Sequence, residues 1–311
     1  MPASFSGNSG NSGNSGNSGN VGNATSASAG WFFADRVNLP FVTEPDTGPN
    51  APKPTKAIGK LPIINAPKFP DLNWSAEWYS WLALNDFAQS GWTVIKLDTQ
   101  PGWPGWVPFP APAPMDWTAL NKTKNVLDEI DDLVTAAADE RADTLGDLLS
   151  QSDEFISYFL NAMTARPGAY PHTTAVLGIA SLVGTFVAMY FKGLYMRPRP
   201  SQLCPALLPP IEVPGHASFP SGHSTQAHLM ALCMNQVLKG LPQQDTMVDN
   251  LTTLADRIAR NREIAGLHYA SDTAAGAALA NGTLNYLKTA PASGGTTRYQ
   301  KAIDLAKVEW Q

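Results

Sequence analysis

The chain has 311 residues, of which 43% are apolar, and a formal net charge of −5 at pH 7. That is enough apolar material for one large domain or two small ones, and the acidic balance excludes a broad basic surface for nucleic acid. Cys204 and Cys233 are the only cysteines; they cannot close a tetrahedral zinc site alone and read as buried free thiols, with a single disulfide as the alternative.

Residues 1–30 read as a tail. A Gly-Asn-Ser repeat fills residues 7–20; such a tract has nothing to bury and is expected to be disordered. The start lacks the basic residues and apolar stretch of a secretory signal, so the expectation is a soluble protein, cytoplasmic by default. Residues 31–115 are rich in Pro and Trp and are expected to form an extended arm packed on the core. Within that arm a helix is predicted over Trp74–Gln89, with Trp78, Trp81 and Leu82 on one face. Pro101, Pro104, Pro108, Pro110, Pro112 and Pro114 then rule out regular structure.

Residues 116–311 are expected to be the helical catalytic domain. Leu127, Ile130, Val134 and Ala137 recur at helical spacing, and Asp128, Glu129, Asp131 and Asp132 around them read as a solvated face. A helix with Phe155, Phe159 and Ala162 ends near Pro167. Thr173 to Phe191 then runs for 19 residues without a charge, which is enough to span a bilayer. Standing alone in a polar, Pro-rich chain, it reads instead as a central buried helix, and no membrane span is expected. A loop over Met196–Pro220 precedes helices over Ser221–Leu238, 245–264, His268–Leu287 and Thr297–Val308. Strand-like alternation is scarce, so the fold class is all-α, a helical bundle.

Three clusters put polar groups where the helical pattern expects apolar ones. In the first, Lys192 ends the most apolar helix, and Pro198 and Pro200 keep Arg197 and Arg199 off any helix, free to turn toward a site; a solvated cationic helix end is the alternative. In the second, Pro220-Ser221-Gly222-His223 opens a helix. Free N–H groups and a glycine there suit an anion, Ser221 adds a hydroxyl or acts as a plain N-cap, and His223 stands by to exchange a proton. In the third, Arg262 continues a buried face and therefore needs an anionic partner. His268 and Asp272, four residues apart, are expected to share a helix face, with the carboxylate fixing one ring nitrogen as a lone pair.

In order and spacing these clusters resemble the signature of the type 2 phosphatidic acid phosphatase and vanadium haloperoxidase superfamily. Lys192 with Arg199-Pro200, then Pro220-Ser221-Gly222-His223, then Arg262, His268 and Asp272 match its three parts, with Asn261 where the pattern has Ser. The resemblance covers about residues 170–290. It implies a helical bundle in which Lys192, Arg199, Ser221, Gly222 and Arg262 hold phosphate or vanadate. His268 would be the phosphatase nucleophile or the vanadium ligand, and His223 the proton donor.

His216, seven residues before His223, and Thr225-Gln226 after it look like the bromoperoxidase members. The favoured expectation is therefore a vanadate-dependent haloperoxidase oxidising bromide or iodide with hydrogen peroxide, with His216 as an added catalytic residue. The alternative is an acid phosphatase that hydrolyses phosphomonoesters through a phosphohistidine and needs no cofactor. A phosphate- or vanadate-sequestering protein would keep the cations but not the His–Asp pair. A membrane lipid phosphatase is set aside, because one segment alone reaches span length. A homo-oligomer is left open.

Overall fold

The computed structural model describes residues 73–95, 126–289 and 295–311, together with Phe69 and Gln100. The Gly-Asn-Ser tail and the proline-rich part of the arm lie outside the described residues. Among the described residues the protein is all-helical, as the periodicity requires, and holds no strand.

Among the described residues nine helices carry the fold: α1 Ala76–Ala88, α2 Val126–Asp139, α3 Arg141–Asp153, α4 Ile156–Ala162, α5 Pro171–Tyr195, α6 Gly222–Leu238, α7 Gln244–Ile264, α8 Ala270–Leu287 and α9 Arg298–Glu309. A single helical turn, Pro200–Leu203, interrupts the long loop after α5. α6 lies at the centre, packed on α5, α7 and α8; α1 and α9 cover α5. Val176, Leu177, Ile179, Val183, Val187 and Phe191 of α5 are fully buried, which is why an apolar stretch of this length forms a helix here. Pro171 starts α5, where its missing N–H costs nothing. Glu309 caps the same end, accepting from the main-chain N–H groups of His172 (2.7 Å) and Thr173 (2.8 Å).

Two glycines set how closely the central helices cross. A Cβ on Gly184 would stand 3.1 Å from Gln226 Cα, and one on Gly276 would stand 2.7 Å from the Ser221 carbonyl oxygen. Backbone cannot give way as a flexible side chain can. Gly276 therefore lets α8 lie directly against the start of α6, bringing Ser221-Gly222-His223 beside the His268–Asp272 segment. Both cysteines are free.

The expected faces of two helices are corrected. In α1, Trp78 and Trp81 are 56% and 51% exposed, and Ser80, Ala83, Leu84 and Phe87 are buried instead. Small residues face α5 because a Cβ on Gly178 would stand only 2.8 Å from Ser80 Oγ; tryptophans do not fit there. In α2, Leu127 and Val134 face outward, and the buried stripe is Val126, Glu129, Ile130, Leu133 and Ala136. Glu129 is thus no part of a solvated face. It is 4% exposed and ion-paired to Arg197 at 2.8 Å.

Candidate active site

The loop after α5, the start of α6, the end of α7 and the turn into α8 meet at one pocket. It is lined by Lys192, Arg199, His216, Gly222, His223, Arg262 and His268, with Ala188, Met189, Pro214 and Leu267 as an apolar wall. Every charged residue of the three sequence clusters is buried.

Three of these cations have no carboxylate partner among the described residues. Lys192 Nζ donates to the carbonyls of Ala217 and Ser218, each at 2.8 Å. Arg199 Nε donates to the His216 carbonyl (3.0 Å) and Nη1 to that of Leu267 (2.9 Å). Arg262 Nη2 donates to Leu148 (3.1 Å), while its Nε and Nη1 are buried with no hydrogen-bond partner. Burial lowers both guanidinium pKa values to about 10, for Arg199 against the opposing field of Asp272 and for Arg262 against that of Tyr158. Both therefore remain charged near neutrality. Carbonyl contacts leave such charge uncompensated, and unpaired buried donors call for an acceptor. A multiply charged oxyanion supplies both.

His268 lies in the turn before α8, whose N-cap is Tyr269, and not on the helix face expected for it. Its Nδ1 still meets Asp272 Oδ2 at 3.1 Å, because the turn folds the ring back over the first helical residues. With the carboxylate accepting, the proton sits on Nδ1 and Nε2 keeps its lone pair. That nitrogen stands 3.3 Å from Arg199 Nη1. Burial works to raise the Asp272 carboxyl, but Arg197, then His268 and Ser218, override it and hold the group well below the usual carboxylate range.

Other residues settle into supporting places. Ser221 Oγ accepts from the Ser224 N–H, 3.3 Å away, as the N-cap of α6, and Ser221 is not among the pocket-lining residues. Gly222 is, so the pocket wall is backbone there. Arg197 is not among them either. It bridges Asp272 (2.7 Å) and Glu129 (2.8 Å) and lies 3.6 Å over the Tyr269 ring. Ser218, which the sequence reading passed over, donates to Asp272. Gln151 was passed over too. Its carbonyl accepts from His223 Nε2 (3.1 Å), and its side-chain oxygen accepts from Asn261 (2.9 Å). Asn261, the departure from the pattern, therefore ties α7 to the residue that holds His223. Phe155 stacks on the His223 ring.

His216, expected as an added catalytic residue, lines the pocket. Its Nδ1 lies 3.0 Å from Arg199 Nη2 and 3.1 Å from the Ala217 carbonyl oxygen, so the tautomer sets whether it accepts from the guanidinium or donates to the carbonyl. Burial, then Lys192 and Arg199, lowers its pKa to about 4.

The same field acts on the two remaining site histidines. Burial, then Arg262, pushes His223 well below 6.5, and burial, then Arg199, does so for His268. The folded apo protein thus holds fewer protons than the unfolded chain as pH falls below about 6.5, and acid should destabilise it. A bound dianion reverses the sign of the local field and raises these pKa values. Phosphate binding near pH 6 is therefore expected to take up protons. Titration calorimetry in buffers of different ionisation enthalpy measures the uptake; identical heats in all buffers would mean that no histidine senses the anion.

Residues 173–291 match the PAP2 superfamily. A decaprenylphosphoryl-5-phosphoribose phosphatase of Mycobacterium tuberculosis (strain CDC 1551 / Oshkosh) is 35% identical over 104 residues, which cover 33% of this chain and 53% of that protein. Its counterpart in strain ATCC 25618 / H37Rv aligns with the same identity and coverage. The chain spans about half the length of these curated relatives.

These findings correct the expectation of a soluble, cytoplasmic protein. The relatives are named for a decaprenylphosphoryl substrate, a lipid conjugate. The segment Pro171–Leu203 is long and apolar enough to cross a membrane, although 72% of its most apolar window is buried inside the protein.

Proposed function

We propose that this chain is a phosphohydrolase of the PAP2 superfamily, cleaving a phosphomonoester through a phosphohistidine at His268. The observation that carries the reading is the set of three buried cations without carboxylate partners, beside a histidine whose Nε2 lone pair faces one of them.

Lys192, Arg199, the Gly222 backbone and Arg262 would hold the phosphoryl oxygens, neutralising charge that builds on them in the transition state. His268 Nε2 attacks phosphorus in line; the P–N bond forms as the ester P–O bond breaks. Asp272 stabilises the ring as it becomes positive. His223 protonates the departing oxygen. Its Nε2–H is committed to the Gln151 carbonyl, so the exchanged proton is the one on Nδ1. Water then attacks phosphorus, giving a proton to the now neutral His223; the P–N bond breaks and phosphate leaves. His223 is deprotonated in the free enzyme, and the dianionic substrate supplies the field that protonates it.

The apolar wall of Ala188, Met189, Pro214 and Leu267 beside the cradle suits a leaving group with an apolar chain. Phe186, Met189 and Tyr190 extend that character to the surface, at 38%, 42% and 39% exposure. With the lipid conjugate in the relatives' name, this favours a lipid-linked phosphomonoester met at a membrane surface. Vanadate fits the same cradle, since the unpaired Arg262 donors would accept any tetrahedral oxyanion; the reading here is an inhibitor resembling the pentavalent phosphoryl group. The halide-oxidising alternative has no counterpart in these relatives, which are named as phosphatases.

The test measures phosphate release from a polyprenyl phosphomonoester in mixed micelles and from a short soluble one, each with and without orthovanadate. Expected are vanadate-sensitive hydrolysis and a higher kcat/KM on the lipid ester. Bromide oxidation by the vanadate-loaded protein with peroxide, and no ester hydrolysis, would overturn the reading.

A further inference from the structure

We propose that Glu129, on α2 and outside the matched segment 173–291, is a positioning residue for the nucleophile, acting on His268 through Arg197 and Asp272. The proposal rests on His268 being the phosphoryl acceptor.

Glu129 is a buried carboxylate with a complete set of partners. Its Oε2 accepts from Arg197 Nη2 (2.8 Å) and Ser271 Oγ (2.8 Å), and its Oε1 from the Ser271 N–H (2.9 Å). Arg197 Nη1 donates onward to Asp272 Oδ1 and to Ser271 Oγ, each at 2.7 Å. Asp272 Oδ2 receives His268 Nδ1 (3.1 Å). Charge alternates along the row: carboxylate, guanidinium, carboxylate, imidazole. None of Glu129, Arg197 or Asp272 is among the pocket-lining residues, so the row works from behind the site.

Two physical effects follow. An arginine paired only with Asp272 would draw its negative charge away from the imidazole. Sharing the guanidinium with Glu129 leaves more of that charge for the His268 ring, which becomes cationic as the P–N bond forms. Glu129 also bonds the main chain of the first turn of α8, the turn that carries Asp272, and so fixes where the carboxylate stands. A residue that orients an orienting carboxylate is felt at the reacting nitrogen although it touches no substrate.

The experiment compares wild type with Glu129→Gln and Glu129→Asp. In Glu129→Gln the charge is lost, and the single amide oxygen cannot replace both carboxylate oxygens, so either the Arg197 and Ser271 hydroxyl bonds on one side or the Ser271 N–H bond on the other is given up. Expected is a fall in kcat of roughly 10–100-fold, with KM and the Kd for inorganic phosphate within about threefold of wild type, since uniform anion binding is untouched. Glu129→Asp keeps the charge and should recover part of the loss; it also serves if Glu129→Gln does not fold.

Nitrogen-15 NMR of labelled histidines gives a readout that a general loss of stability would not move. In wild type the His268 Nδ1–H proton is held by Asp272 and Nε2 is bare. Without the Glu129 charge the Nδ1–H signal should shift upfield or broaden, and Nε2 should move toward its protonated position. A kcat within twofold of wild type with unchanged His268 ring signals, in whichever variant folds, would overturn the proposal. Absence of ester hydrolysis by wild type would instead sink the phosphatase reading, and the ring signals would still decide the role of Glu129.

Discussion

Replacing His268 by alanine is expected to abolish turnover, with kcat falling by roughly 10⁴–10⁶-fold, as nucleophile knockouts do. Alanine leaves nothing with a lone pair where Nε2 stands 3.3 Å from Arg199 Nη1. Water attacking phosphorus directly would retain only the help of the anion cradle. The fold should survive, because the His268 ring makes its bonds to Asp272 and Arg199 and those two keep other partners: Arg197 and Ser218 for Asp272, the His216 and Leu267 carbonyls for Arg199. Rapid quench into alkaline denaturant with labelled substrate gives the decisive measurement. Wild type should accumulate an acid-labile, base-stable phosphoryl adduct that the variant lacks. Near-normal turnover by a natively folded His268→Ala protein would remove the phosphohistidine from the mechanism.

Arg262→Ala should weaken phosphate and vanadate binding by about 30- to 4,000-fold, the equivalent of ~2–5 kcal/mol for losing one partner of a buried charge contact. Arg262 is singled out because two of its donors are buried without partners, whereas Arg199 spends most of its guanidinium on carbonyls and His216. The loss should appear in the Kd from calorimetry as well as in KM. A lysine at the position should restore little, since it offers a point charge in place of a planar fork. Affinity unchanged within about threefold, on the scale where tenfold is 1.4 kcal/mol, would mean that Arg262 does not face the anion.

Much of this was written along the chain. Helical periodicity places α5, α6, α7 and α8 within a few residues of their ends, because each buries an apolar face that only one pitch can align. Lys192, Arg199, Gly222, His223, Arg262 and His268 were legible as a group: charged side chains at positions where the pattern expects apolar ones are costly to bury without purpose. One further signal was present and was not read. Glu129 falls on the stripe Val126, Glu129, Ile130, Leu133, Ala136, and a carboxylate at that spacing is a buried carboxylate.

What the sequence by itself determined was therefore the helical class and most of the polar residues that line the pocket, since both depend on local pitch and on the chemistry of single residues. The tertiary structure alone decided the partners. Arg197 and Arg199 sit two apart in the same extended segment, yet one is tied to Glu129 and Asp272 behind the site and the other lines the pocket. Side chains alternate along extended backbone, but which direction faces the anion depends on what packs there. His216 reads along the chain only as a second histidine near His223, and the fold alone sets its Nδ1 3.0 Å from Arg199; the phosphatase-named relatives are what favour phosphoryl transfer over halide oxidation. The approach of α8 to α6 at Gly276 and the reach of Glu129 across 142 residues of chain to Ser271 are long-range contacts. Local sequence carries no record of them, because their energy exists only once the core has closed.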